Sequence, residues 1–181
     1  MNRNAFKSWV LLFIQMTIPE FNEKGHLPPG IHETTMDDFR IRFVENVAES
    51  RTRRDIFAGY IDYLSDILPL NIVLKQWLDG SFTTIKVDPN DIDVISHVDA
   101  LKINKDRYTL DQFKRLFINN NNRRQLNSKY KCDPFAIAIY PPGHKFYNMT
   151  LSTINYWADF FGHDSRVAGS PPKGLIEINH R

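Results

Sequence analysis

A chain of 181 residues is long enough for one compact domain with a full core, and too short for two of ordinary size. Hydrophobic residues make up 42% and charged residues 24%, with 13 Phe, 7 Tyr and 3 Trp, which excludes a disordered chain and points to an aromatic core. The formal charge of only +2 excludes a global field for nucleic acid, and the single cysteine, Cys132, excludes an internal disulfide or a Cys-rich zinc site, as expected in a reducing cytoplasm.

Taken in chain order, Trp9 to Met16 (WVLLFIQM) is apolar but falls far short of the ~20 residues that span a bilayer, and it lacks a small-residue cleavage site. Residues 1–15 therefore read as an N-terminal extension, with Met16 as an alternative start, and residues 16–181 as a single domain with no membrane association. Pro28-Pro29-Gly30 and Pro141-Pro142-Gly143 read as rigid turns. Thr35, with Asp38 three residues on, predicts a capped helix start. Phe39, Phe43 and Val47, then Phe57, Tyr60, Ile61, Leu64 and Leu68, recur at helical spacing and predict two helices, or one broken near Ser50 to Arg54.

Pro69 ends that helix, and Ile72 to Leu78 (IVLKQWL) predicts the first strand, followed at once by Gly80-Ser81. Asp91 to Ser96 (DIDVIS) predicts a second strand. Tyr108 to Ile118 reads as a helix ended by four asparagines, Asn119 to Asn122, and Arg123-Arg124 then read as a polar loop whose alternative role is a grip on a nucleic-acid backbone. Phe135 to Tyr140 (FAIAIY) is continuously apolar, as in a strand covered on both faces. Thr150 is expected to cap a helix carrying Leu151, Ile154, Tyr156, Trp157 and Phe160, and Gly174 to Ile178 predicts a last strand. The fold class is mixed α and β.

The chemistry is concentrated in Leu78 to Val94, LDGSFTTIKVDPNDIDV. Residues two apart in a strand share a face, so Asp91 and Asp93 present two carboxylates to one spot while Ile92 points into the core. Two like charges ~4 Å apart repel by roughly 4 kcal/mol at an effective dielectric of about 20, so the pair calls for a cation, and all-oxygen ligands suit Mg2+ or Mn2+. Gly80 allows close backbone approach to a phosphate, and the Ser81 hydroxyl and following amides can donate to phosphate oxygens.

Gly-Ser-Phe, eight residues, then Asp-Ile-Asp resembles the signature of the polymerase-beta-like nucleotidyltransferase superfamily, and of its minimal members in particular. The opening IPEFNEKGHLPPGIH and closing PPKGLIEI extend the likeness, from Met16 onward, to a functionally unassigned branch of microbial nucleotidyltransferase-like proteins. The resemblance implies an α+β fold with a small mixed β-sheet flanked by helices. It also implies transfer of a nucleoside monophosphate from a nucleoside triphosphate (NTP) such as ATP to an acceptor hydroxyl, on RNA or protein, with Asp91 and Asp93 holding Mg2+ or Mn2+. The third carboxylate of such a site falls on Asp133, in a strand or in the turn before it, with Asp88, Asp99, Asp106 and Asp111 as competitors. The rival implication is a noncatalytic nucleotide-binding or antitoxin-like module of the same fold, acting on a partner protein.

Further charges are weighed against ordinary loop roles. Arg166 and Lys173, in the tail FGHDSRVAGSPPKG, could reach a triphosphate, whereas Gly169 to Gly174 lacks the Lys-Ser/Thr of a phosphate loop. His163-Asp164-Ser165 has triad residue types without a nucleophile motif. His32 and His144, each after a Pro-Pro-Gly turn, read as turn anchors first and site residues second.

Overall fold

The structure is a computed structural model that describes residues 18–118, 121–164 and 168–180. The expected extension 1–15 and Arg166 lie outside the described residues. A five-stranded mixed sheet runs in the order β1-β5-β2-β3-β4, built from β1 (Gly30–Thr34), β2 (Val73–Asp79), β3 (Ile92–Asp99), β4 (Cys132–Ile139) and β5 (Gly174–Asn179). β1 lies parallel to β5 and β4 parallel to β3, while β2 is antiparallel to both neighbours. The fold is α+β, as the sequence predicts.

Helices cover the two sheet faces unequally. On one face α1 (Met36–Arg40), α2 (Arg53–Ile67), α4 (Arg107–Leu116) and α5 (Arg123–Tyr130) pack Phe39, Tyr60, Tyr63, Leu116 and Leu126 against Val94, Val98, Leu78 and Ile176. That is the main core, and the short α3 (Ala100–Ile103) adds Ile103. On the other face α6 (Tyr147–Phe161) seats Trp157 and Phe161 on Trp77, Ile95, Phe135, Ile137 and Leu175. Strand alternation therefore puts Asp79, Asp93 and Asp133, each two residues from Trp77, Ile95 or Phe135, on the α6 face at one end of the sheet. No helix among the described residues is long and apolar enough to cross a membrane.

Several expectations are corrected. The strand expected at Ile72 to Leu78 is the second and not the first, because an unpredicted β1 pairs with β5 from Gly30 onward. Thr150 lies inside α6, which begins at Tyr147. Its hydroxyl donates to Ala138 O (2.9 Å) and accepts from Tyr140 N (3.0 Å), tying the helix to the end of β4 instead of capping it. Arg123 and Arg124 open a helix rather than a loop. Thr35 is the N-cap expected, accepting from Asp38 N at 3.1 Å.

Candidate active site

The register of the sheet assembles the site. Asp79 at the end of β2 is the antiparallel partner of Asp93 on β3, and Asp93 is the parallel partner of Asp133 on β4, so the three carboxylates form a row across adjacent strands. Asp133 thus belongs to the strand and not to the turn. Pro134 is tolerated there because β4 is an edge strand, with one neighbour to bond. Asp91, just before β3, completes the group: Asn127 Nδ2 donates to Asp91 Oδ2 (2.9 Å) and to Asp133 Oδ1 (3.0 Å), so both carboxylates lie within reach of one amide.

Gly80 makes the row possible. Its φ of +83° is a conformation L side chains rarely adopt, and a Cβ there would overlap the Asp93 carboxylate oxygen Oδ2. The chain then turns through Ser81, whose carbonyl accepts the Thr84 hydroxyl at 2.9 Å. Gly80 lies against Asp93, and Ser81 is buried in the same turn.

Two cations answer two of the acids. Lys173, expected at a triphosphate, is itself buried and gives its ammonium to both oxygens of Asp79. Arg123 clasps Asp133 through Nε (2.8 Å) and a terminal nitrogen. Burial, followed by the charges of Asp79, Asp91 and Asp133, pushes the Asp93 carboxyl up to about 7. Burial also raises Asp79, against the opposing pull of Lys173. The buried Cys132 thiol is pushed up by burial and by the same acids, so it is inert rather than nucleophilic.

With all four acids ionised, four carboxylates facing Lys173 and Arg123 leave a surplus of two negative charges. Hard oxygen donors, a surplus that one divalent ion neutralises, and a proton held on Asp93 in its place fit Mg2+ or Mn2+. Among the described residues, however, no three Asp, Glu, His or Cys side chains converge as a ligand cluster, since Asp79 and Asp133 are turned to their cations.

Two cavities open along the carboxylates, one at Asp91 and Asp133 and one at Asp79 and Asp93. One, of about 710 Å³, is lined by Asp91, Asn121, Arg123, Arg124, Asn127, Ser128 and Asp133. The other, of about 150 Å³, is lined by Asp79, Gly80, Asp93, Phe160, Phe161, His163, Asp164 and Lys173.

The competitors of Asp133 lie elsewhere. Asp88 is bound by Arg51 and Ser50, Asp99 caps α3, Asp106 caps α4, and Asp111 pairs with Arg107. His32 bonds Pro28 O (2.8 Å), and His144 stacks on Tyr140. Asp164 bonds His26 at 3.1 Å, an arrangement unrelated to a triad. Three participants escape sequence reasoning: Asp79, Arg123 in its pairing role, and Asn127. Asp79 alone carried a signal, since it directly precedes Gly80-Ser81 and shares the face of Trp77.

Comparison with curated proteins and with solved structures gives no match. One protein-family model matches residues 19–179, which include every residue of the carboxylate row, and the chain belongs to that family, described as a family of unknown function (DUF6932).

Proposed function

We propose that this chain is a metal-dependent nucleotidyltransferase that moves a nucleoside monophosphate from an NTP to an acceptor hydroxyl. The observation that carries the reading is the register that aligns Asp79, Asp93 and Asp133 across three strands, with Asp91 alongside and Gly80 against Asp93. The pairing of Asp93 with Asp133, and the approach of Gly80 to Asp93, support what the resemblance to polymerase-beta-like nucleotidyltransferases implies.

In this reading Asp91 and Asp93 hold Mg2+ or Mn2+, and Asp133 completes the set. The ion, when bound, neutralises charge on the α-phosphate and the leaving pyrophosphate. Gly80-Ser81 seats the phosphates. Lys173 acts through Asp79, fixing the end of β2 against Asp93, rather than as a direct phosphate ligand. The acceptor oxygen bonds to the α-phosphorus, the bond to pyrophosphate breaks, and the hydroxyl proton passes to Asp133 and then to water.

One observation favours the rival, a noncatalytic nucleotide-binding module: Lys173 and Arg123 already occupy two of the four acids. The test is incubation with each α-labelled NTP, Mg2+ or Mn2+, and a total cell extract. Label should appear on a macromolecule, and Asp93→Asn should lower it by ~10²-fold or more while folding normally. Metal-dependent NTP binding with no label in any fraction would establish the module instead.

A further inference from the structure

α5 presents two stripes to the 710 Å³ cavity. Arg123 and Asn127, one helical turn apart, face the carboxylates and are bonded to them. Arg124 and Ser128, also one turn apart, form the outer wall, and among the described residues neither has a hydrogen-bond or ion-pair partner. Among the described residues the lining of this cavity holds no aromatic and no aliphatic side chain, so recognition there falls to charge and hydrogen bonding.

The charge of this region departs from that of the chain. Residues 114–131 (KRLFINNNNRRQLNSKYK) carry six Lys or Arg and no Asp or Glu, in a protein of net charge +2. Arg115 continues the basic surface around α5 and, with Lys129, which pairs with Asp66, lines a third hollow of about 180 Å³ that also holds Asn122, Gln125 and Tyr130. A basic stripe leading to a floor of two carboxylates suits a polyanion whose reacting end reaches the acids while its phosphates stay outside them. Guanidinium and hydroxyl donors match phosphate oxygens.

We propose that the α5 cavity is the acceptor site, and that the acceptor is the end of a single nucleic-acid strand, with Arg124 and Ser128 on its phosphates and its terminal hydroxyl at Asp133. The proposal rests on the nucleotidyltransferase reading for the reaction, but the binding it asserts is measurable without it.

The experiment uses the full chain and fluorescein-labelled single strands of RNA and of DNA, about a dozen nucleotides long, in anisotropy titrations at several salt concentrations. Wild type should bind at least one strand with salt-dependent affinity, and the arm that binds more tightly names the sugar. Arg124→Glu should weaken binding by about tenfold, and Arg124→Ala should lower the salt slope by about 0.7, the share of one phosphate on a single strand. Calorimetric NTP binding with Mg2+ should be unchanged in both variants, which also reports that they fold. Strand binding that depends on Arg124 without any NTP binding would uphold this site and overturn the transfer reaction. No strand binding by wild type, equal binding by Arg124→Glu, or label transferred to protein alone would overturn the acceptor proposal.

Discussion

Asp93 is the residue on which the electrostatics of the site turn. Its carboxyl, ordinarily near 3.8, is pushed to about 7 by burial and by Asp79, Asp91 and Asp133. Between those values the folded protein holds a proton that the unfolded chain has lost, so the stability associated with that proton is present below about pH 4 and lost as the pH rises through about 7. In metal-free buffer, the melting temperature of wild type should therefore fall relative to that of Asp93→Asn across this window, by about 2–4 °C for each kcal/mol. Thermal melts of both proteins from pH 4 to 8 measure it, and a difference independent of pH would place Asp93 outside the buried row. Asp91 and Asp93 were legible because two acids at strand spacing after a Gly-Ser turn are a local pattern. Asp133 was legible only by its order in the chain. Asp79 carries only the weak signal of preceding Gly80-Ser81 on the face of Trp77, since nothing local says that a strand's last residue will face Asp93. That fact belongs to the pairing register. The pairing of Lys173 with buried Asp79, 94 residues away, leaves no local trace in the sequence.

The connection from Gly80-Ser81 to Asp91 is shaped by one residue of α2. Arg53 is buried and spends its planar fork of donors on backbone carbonyls: Phe43 (2.9 Å), Phe82 (2.6 Å), Thr84 (2.9 Å), Lys86 (2.5 Å) and Val87 (3.2 Å). Burial pulls its pKa down to about 10, yet it stays charged at neutral pH. Arg51 and Thr52 add bonds to Asp88 and to Pro89 O, so the start of α2 latches the whole segment between the turn and the acids. Lysine cannot reproduce five bonds in a plane. Arg53→Lys should cost about 3–5 kcal/mol in urea unfolding, while Arg54→Lys at the exposed neighbouring position stays within about ±0.5 kcal/mol. Equal effects at the two positions would remove the latch. The strands β2 to β5 and helix α4 were readable to within a few residues, because each carries a strong apolar period between breakers. β1 was not, being a mostly exposed edge strand without alternation. α5 was missed because it buries only Leu126 and Tyr130, too few for a helical period to show.

At the scale of the molecule, unequal coverage of the sheet leaves the carboxylate end open. The helices of the main core close one face, whereas α6 alone covers the other and stops at Phe161, beside the row. The acids are thereby left between two cavities. The near-neutral overall charge conceals an acidic row set against a basic segment, a separation that suits the proposed transfer between two anionic substrates, with an ion to bridge one and fixed cations to hold the other. The central claim is that the row binds an NTP through a divalent cation. Isothermal titration of ATP and of GTP into the full chain, with Mg2+, with Mn2+ and with excess chelator, tests it most directly. Binding of at least one nucleotide with either metal, lost in chelator and lost in Asp93→Asn, is the result predicted. Equal affinity with and without the cation, or undiminished metal-dependent binding by a well-folded Asp93→Asn protein, would contradict it.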